Sequence, residues 1–482
     1  MNNILHGNIF SFISKKVRIH FSLQITISCV LLAFITLMLG DYIYAVILVI
    51  PIVLLYFRFD KHLLVILSLV SLLTVTNRLG VELRSAIQIM SFSMLIFLFL
   101  VNYGLDHNNF PTLPKELKVF FVFLFSTITV SFIFSAYQDA SWIFIARVSL
   151  FFVVVYLVYS TLISYESIKV LLLILFIIAS VVSLGIFIDL AQSGFIFLDF
   201  AKGTYFRSGG LIANVNAAGG LLAITVPLAF VIILVERKLK HRIIASVLVF
   251  ILGIGLILSM SRAAYISIFI SILFILFKLR RNIFNNLIVF LFILLFLSLI
   301  IPPLNEIVTF YFRIGDGLSN REYLWAMTTD IIRDHWIMGV GPGAYGQVMF
   351  KYFPVILGSW QGIIFKDLYI VTEAGNVSHN FYLGFWAEMG IPGLISSIIL
   401  PIIYLRMAFS TMNWYKSINL KLYSLLVGIT SIGLGMFTRA HLDNVNIITN
   451  GFITTDLPFW IILSILSFLF LKTENVKNKF ED

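Results

Sequence analysis

The side chains best equipped for chemistry in this sequence are one histidine and a set of arginines. His379 lies in Ser378-His379-Asn380, where a polar stretch gives way to the apolar run Phe381-Tyr-Leu383. A histidine at such a border stays partly solvated, the setting in which an imidazole serves as a general base near neutral pH. Arg207, Arg262, Arg321 and Arg439 keep their charge at any physiological pH, and the planar guanidinium pairs bidentately with phosphate oxygens. Arg321 follows Ser319 within Ser319-Asn-Arg-Glu322, a capping box that predicts a helix of about four turns ending before Gly339. In that first turn the free amides already favour an anion, so a guanidinium there fits half of a phosphate site; a solvated surface arginine is the competing reading.

Other patterns carry less. Gly339-Val-Gly341-Pro-Gly343-Ala-Tyr-Gly346 has glycines spaced like a dinucleotide loop, but it follows a helix rather than a strand, and a tight turn against the membrane surface fits it better. No His, Asp or Glu cluster has metal-ligand spacing, and Asp330 and Asp334 read as a solvated helix face. Cys29 is the single cysteine, which excludes an intramolecular disulfide and a cysteine metal site. No metal and no cofactor are therefore expected.

The elements that must position these residues are dictated by composition. Of 482 residues 60% are hydrophobic and only 12% charged, about half the charged share of a soluble domain, so the surface cannot face water all round. Apolar runs of the roughly 20 residues a bilayer helix needs recur from Phe21 to Leu471. They are too long and continuous for barrel strands. The fold class is all-α: a polytopic membrane helical bundle of about 12–14 transmembrane helices, with one large extracytoplasmic loop containing helices. Spans are expected over 20–39, 42–57, 62–76, 85–103, 118–134, 142–163, 168–190, 209–235, 243–259, 263–277, 283–301, 383–408, 422–438 and 456–471.

The net charge of +10 then reads as topology rather than nucleic-acid binding. Lys and Arg cluster at Lys15/Lys16/Arg18, Arg58/Lys61, Lys115/Lys118, Arg237 to Arg242, Lys278 to Arg281 and Lys472 to Lys479, and the positive-inside rule places these clusters in the cytoplasm. The first of them, lacking a small-residue cleavage site after it, reads as an uncleaved anchor, and both termini are expected inside. The organisation expected is 1–301 as N-terminal transmembrane helices, 302–382 as the large outer loop, and 383–482 as C-terminal helices with a short cytoplasmic tail. Residues 243–277 form an apolar stretch with basic clusters at both ends, broken only at Ser259-Met-Ser-Arg262. Some 35 residues are too many for one span, so a hairpin with Arg262 at its outer tip is expected; one long helix would bury a cation in hydrocarbon. His335, His379 and His441 also fall outside.

Three segments together resemble the O-antigen ligase and O-antigen polymerase family of bacterial membrane glycosyltransferases. They are Ser259-Met-Ser-Arg262-Ala-Ala-Tyr-Ile266, then Asn320-Arg321-Glu-Tyr-Leu-Trp325 running to Gly343, and Ser378-His379-Asn380-Phe-Tyr-Leu383 with Glu388-Met-Gly390-Ile-Pro-Gly393. The Arg207 to Asn216 patch is similar, with Val215 where the family usually carries proline. The resemblance implies a donor glycan on undecaprenyl diphosphate at the outer face of the cytoplasmic membrane, and a metal-independent, inverting transfer to an acceptor hydroxyl. The acceptor would be lipid A–core for a ligase or another lipid-linked repeat unit for a polymerase. It makes His379 the base that deprotonates the acceptor, and Arg262, Arg321 and Arg207 the groups that bind the diphosphate. A lipid-linked oligosaccharide flippase is the alternative; it should have short loops on both sides and cations facing a central cavity, unlike the long loop from Pro302.

Overall fold

The computed structural model describes residues 61–74, 81–105, 112–161, 165–196, 198–199, 204–212, 214–311, 321–349, 351–352, 377–449 and 453–481. The spans expected over 20–39 and 42–57, and the Ser319 cap, lie outside these residues. Contacts divide the chain into two units, 1–111 with 153–178 and 112–152 with 179–482.

The helices are α1 (Lys61–Thr74), α2 (Val81–Leu105), α3 (Lys115–Phe134), α4 (Gln138–Thr161), α5 (Tyr165–Gln192), α6 (Val215–Val235), α7 (Leu239–Ser259), α8 (Arg262–Leu279), α9 (Arg281–Ile300), α10 (Pro302–Tyr311), α11 (Arg321–His335), α12 (Tyr345–Val348), α13 (Phe381–Tyr415), α14 (Leu420–Arg439) and α15 (Ile453–Glu481). A two-residue antiparallel ladder joins Leu198–Asp199 to Thr204–Tyr205. Among the described residues, ten helices are long and apolar enough to cross a membrane, and α1 and α2 contain the shorter apolar stretches Leu63–Leu73 and Ala86–Leu100. The protein is therefore a polytopic helical membrane bundle, as its composition requires.

In the first unit α1 packs on α2 through Leu64, Leu69, Leu72, Leu95 and Leu98, with Phe99 edge-on to Tyr156 at 5.8 Å. In the second unit α6 is central, lying against α7, α8, α14 and α15. Its first turns are Ala217-Ala218-Gly219-Gly220, and small residues let membrane helices approach where lipid offers no hydrophobic drive. A Cβ on Gly219 would crowd Ser261 and Ala264, and one on Gly220 would collide with Asn446. By contrast α9 buries almost none of its apolar surface, and Phe290, Phe292, Phe296 and Leu299 point outward, as lipid-facing side chains do.

The expected hairpin is present. Met260 adopts the left-handed conformation (φ 49°) that ends α7, Ser261 stands before α8 with its hydroxyl turned to Asn216, and Arg262 is the first residue of α8. The loop helix is also present: α11 runs to His335 and buries Leu324, Met327, Thr328 and Ile331, one face at helical spacing, against Val340, Ala344, Tyr345, Val348 and Ala387. The glycine segment differs from expectation in where it rests. Gly339, Gly341 and Gly343 all have positive φ (71°, 118° and 74°), so it is a tight turn, but it docks into a break in α13 rather than on the membrane surface. Gly390 (φ 64°) interrupts α13, freeing carbonyls of the preceding turn. Val340 N–H donates to the Ala387 carbonyl, Gly341 N–H to Glu388, and Ile391 N–H to Trp336. Ser131 of α3 adds bonds to the Met338 and Glu388 carbonyls, so three elements share one seam.

Candidate active site

His379 is set by the three residues of its motif. Asn380 caps α13, its side-chain oxygen accepting from Tyr382 and Leu383 N–H, while its amide donates to the His441 carbonyl. Ser378 Oγ donates to the Asn380 carbonyl and closes the bend from the other side. Between them His379 is held at φ 49°, a left-handed conformation that a side chain with a Cβ rarely adopts. Its ring turns to Asp443, with Nδ1 3.3 Å from Oδ1. The side chain is 23% exposed, more enclosed than a half-solvated border position.

Asp443 is the hub of the site, and it is fully buried. Its Oδ2 lies 3.6 Å from Arg321 Nη2 and 3.9 Å from Arg439 Nη2. Burial alone would raise the carboxyl, but the hydrogen bond and charge of His379, with the charges of Arg439 and Arg321, outweigh it and hold Asp443 well below the usual carboxylate range. With the imidazole neutral, the anionic Asp443 accepts a hydrogen bond from Nδ1–H, which leaves the Nε2 lone pair for a substrate proton.

Arg439, also buried, donates to the Val445 carbonyl and, through Nη2, to the Asn216 carbonyl at 2.8 Å. The Asn216 side-chain oxygen accepts from Arg207 Nη2 at 3.2 Å and from Ser261 Oγ at 3.2 Å. Asn216 therefore ties the hub to Arg207 and to the hairpin tip that carries Arg262. Arg207 itself is placed by Ser208, whose hydroxyl donates to Asp189 at the end of α5. Arg207 is exposed and Arg262 partly so.

The loop between α14 and α15 supplies Asp443 and is buried from Asp443 to Thr449, which requires its backbone groups to find partners. Asp456 accepts from Asn446 N–H (2.8 Å), Thr449 N–H (2.7 Å) and the Thr449 hydroxyl (3.1 Å). Asn446 donates to the Ala217 and Thr455 carbonyls, Trp460 to Ile447, and Arg147 to Thr449.

The structure thus brings His379 and Arg321 onto one carboxylate and links Arg207 and the Arg262 turn to them through Asn216. Sequence reasoning missed Asp443 as the partner. Its signal was the i,i+4 spacing from Arg439 within Arg439-Ala-His-Leu-Asp443-Asn, directly after an apolar run. Among the described residues, no three His, Cys, Asp or Glu side chains converge as metal ligands. His335 and His441 place no ring nitrogen in the hub; His441 contributes its carbonyl, and its ring lies 4.5 Å from that of Tyr382. Asp334 is exposed and Asp330 partly so, a solvated face on which they pair with the Tyr352 hydroxyl (2.9 Å) and Arg333 (3.0 Å).

Fold and site together define a multi-pass membrane protein with a cationic, histidine-bearing centre at one end of its helices. Over residues 247–398, about a third of its length, the chain matches the model of the O-antigen ligase family. The matched segment holds Arg262, Arg321 and His379; Arg207, Asn216, Arg439 and Asp443 lie outside it. No curated protein matches the chain in sequence.

Proposed function

We propose that the protein moves a glycan from undecaprenyl diphosphate onto an acceptor hydroxyl, lipid A–core or another lipid-linked repeat unit, at the outer face of the cytoplasmic membrane. The reaction is one inverting displacement without a metal. The observation that carries this reading is the convergence of His379, Arg321 and Arg439 on Asp443. His379 Nε2 takes the acceptor proton as the acceptor oxygen attacks the anomeric carbon. The bond to the diphosphate breaks, and Arg262, Arg321 and Arg207 take up the charge that develops on it. Preorganised donors of this kind contribute about 3 kcal/mol each to a transition state in a partly dry site. Asp443 stabilises the imidazolium and fixes the ring tautomer. Because guanidinium charge already meets the leaving group, the displacement needs no Lewis acid.

The test is transfer by purified protein in liposomes. Wild type should form a new glycosidic bond and release undecaprenyl diphosphate, and His379→Ala should lower the rate by at least about 10²-fold with membrane insertion intact. Near-normal transfer by His379→Ala would remove the histidine from the mechanism. Glycan crossing the bilayer with no new glycosidic bond would favour the flippase reading.

A further inference from the structure

A second site lies on the same unit, away from the hub. The turn between α3 and α4 and the short helix α12 enclose an open groove of about 390 Å³, lined by Ser135, Ala136, Tyr137, Gln138, Asp139 and Gln347. We propose that this groove is a glycan-binding subsite that holds sugar units of the substrate remote from the bond being made or broken. This rests on the proposed glycan transfer.

The lining is the chemistry of carbohydrate recognition. Tyr137 lines the groove with a partly buried aromatic ring whose edge can meet the C–H bonds of a pyranose, and its hydroxyl makes no hydrogen bond among the described residues. Lys351 stands 5.5 Å from the ring centroid and borders the groove with a further donor. Gln138, Asp139 and Gln347 are exposed, and their planar groups make no hydrogen bond or ion pair among the described residues. A pair of vicinal hydroxyls presents the donors and acceptors such groups match. An apolar tail would find few partners here, and an anion would meet Asp139. The size suits a sugar unit or two within the usual range of ligand sites.

The groove is also built on rigid supports. Ser135 Oγ donates to the Val340 carbonyl and accepts from Tyr137 N–H, fixing the turn to the glycine segment. Tyr137 packs on the cluster of Leu324, Ile331 and Tyr345 beneath α11. The glycine segment in turn binds the Ala387 and Glu388 carbonyls of α13, the helix that begins two residues after His379. From Phe381 to Glu388 the helix rises over seven residues, on the order of 10 Å, a span that a short oligosaccharide bridges.

The experiment compares two donors in proteoliposomes, one lipid-linked single repeat unit and one lipid-linked chain of several. The variants are Gln138→Ala and the double variant Gln138→Ala/Gln347→Ala, whose side chains are exposed. Both should raise KM for the long donor about tenfold, leaving kcat and the single-unit KM unchanged, the signature of lost uniform binding. Unchanged KM for the long donor, or an equal loss with both donors, overturns the subsite. A binding arm is independent of transfer: free glycan released from the lipid carrier by mild acid is added to detergent-solubilised His379→Ala protein and followed by saturation-transfer NMR. Binding that disappears in the Gln138→Ala/Gln347→Ala background supports the groove, and absent or unaltered binding overturns it. Failure of wild type to transfer either donor would count against the proposed reaction, while the binding arm still decides on the groove.

Discussion

At the scale of single residues, Asp443 governs the site. It serves His379 as orienter and the two arginines as counter-ion, so its replacement separates charge from shape. Asp443→Asn keeps the volume but can present an N–H toward Nδ1, favouring the wrong tautomer, and transfer should fall by about 10²–10⁴-fold in kcat. Its folded-state carboxyl is held below the unfolded value near 3.9, so its contribution to stability is fully present above that value and is lost only as pH falls through the folded one. The melting-temperature gap between wild type and Asp443→Asn should therefore not narrow from pH 9 to pH 5 and should close only below about pH 4. A gap that already closes between pH 7 and 5 would mean that Asp443 is not held ionised. His379 and Arg321 were legible in the sequence because each stands in a motif with a local physical meaning, a helix cap or a border turn. Asp443 was not, because its role arises from contacts 64 residues from His379 and 122 residues from Arg321, made only when α14 and α11 come together.

At the scale of elements, the seam between the glycine turn and the break in α13 connects the loop helix to the membrane helices. Gly390 has φ 64°, and a Cβ there would collide with the Ile337 carbonyl. Gly390→Ala should destabilise this seam by about 2 kcal/mol or more, since both backbone strain and a steric clash oppose it. Limited proteolysis should then cut faster between α11 and α13 in the variant, with transfer reduced as Arg321 loses its fixed place. Protease resistance equal to wild type would show that the seam does not hold α11. The hairpin of α7 and α8 and the length of α11 could be read beforehand, since charge placement and caps are local signals. The docking of Gly339 to Gly343 into α13 could not, because it needs an interruption at Gly390 whose carbonyls are read only in three dimensions.

At the scale of the whole molecule, the sorting of basic residues implies a side for every connection. The proposed orientation puts the turn at Ala136 and the hub on the outer side, and the junction of α8 and α9 at Arg280 and Arg281 in the cytoplasm. In a Cys29→Ser background, Ala136→Cys should react with a membrane-impermeant maleimide added to intact spheroplasts, and Asn282→Cys only after permeabilisation. The reverse pattern would invert the topology and with it the side on which the glycan is handled. Hydropathy alone predicted the class of the molecule, because lipid admits so few backbone solutions. It did not foresee that α9 would bury almost nothing while α6, of similar hydropathy, would be enclosed: which apolar helix lies inside is decided by small residues such as Gly219 and Gly220.

The left-handed backbone of His379 has one more consequence. Glycine adopts φ 49° without the strain of about 1 kcal/mol or more that a Cβ brings, so His379→Gly removes the ring while relaxing the chain that carried it. The relaxed backbone should offset part of what the lost bond to Asp443 costs, and the variant leaves a ring-sized vacancy beside a carboxylate that Arg321 and Arg439 still pair. Added imidazole should enter it and restore part of the transfer rate in a saturable way, whereas the same additive should do nothing for Asp443→Asn. Chemical complementation by a free base would make the catalytic ring a detachable part of the protein.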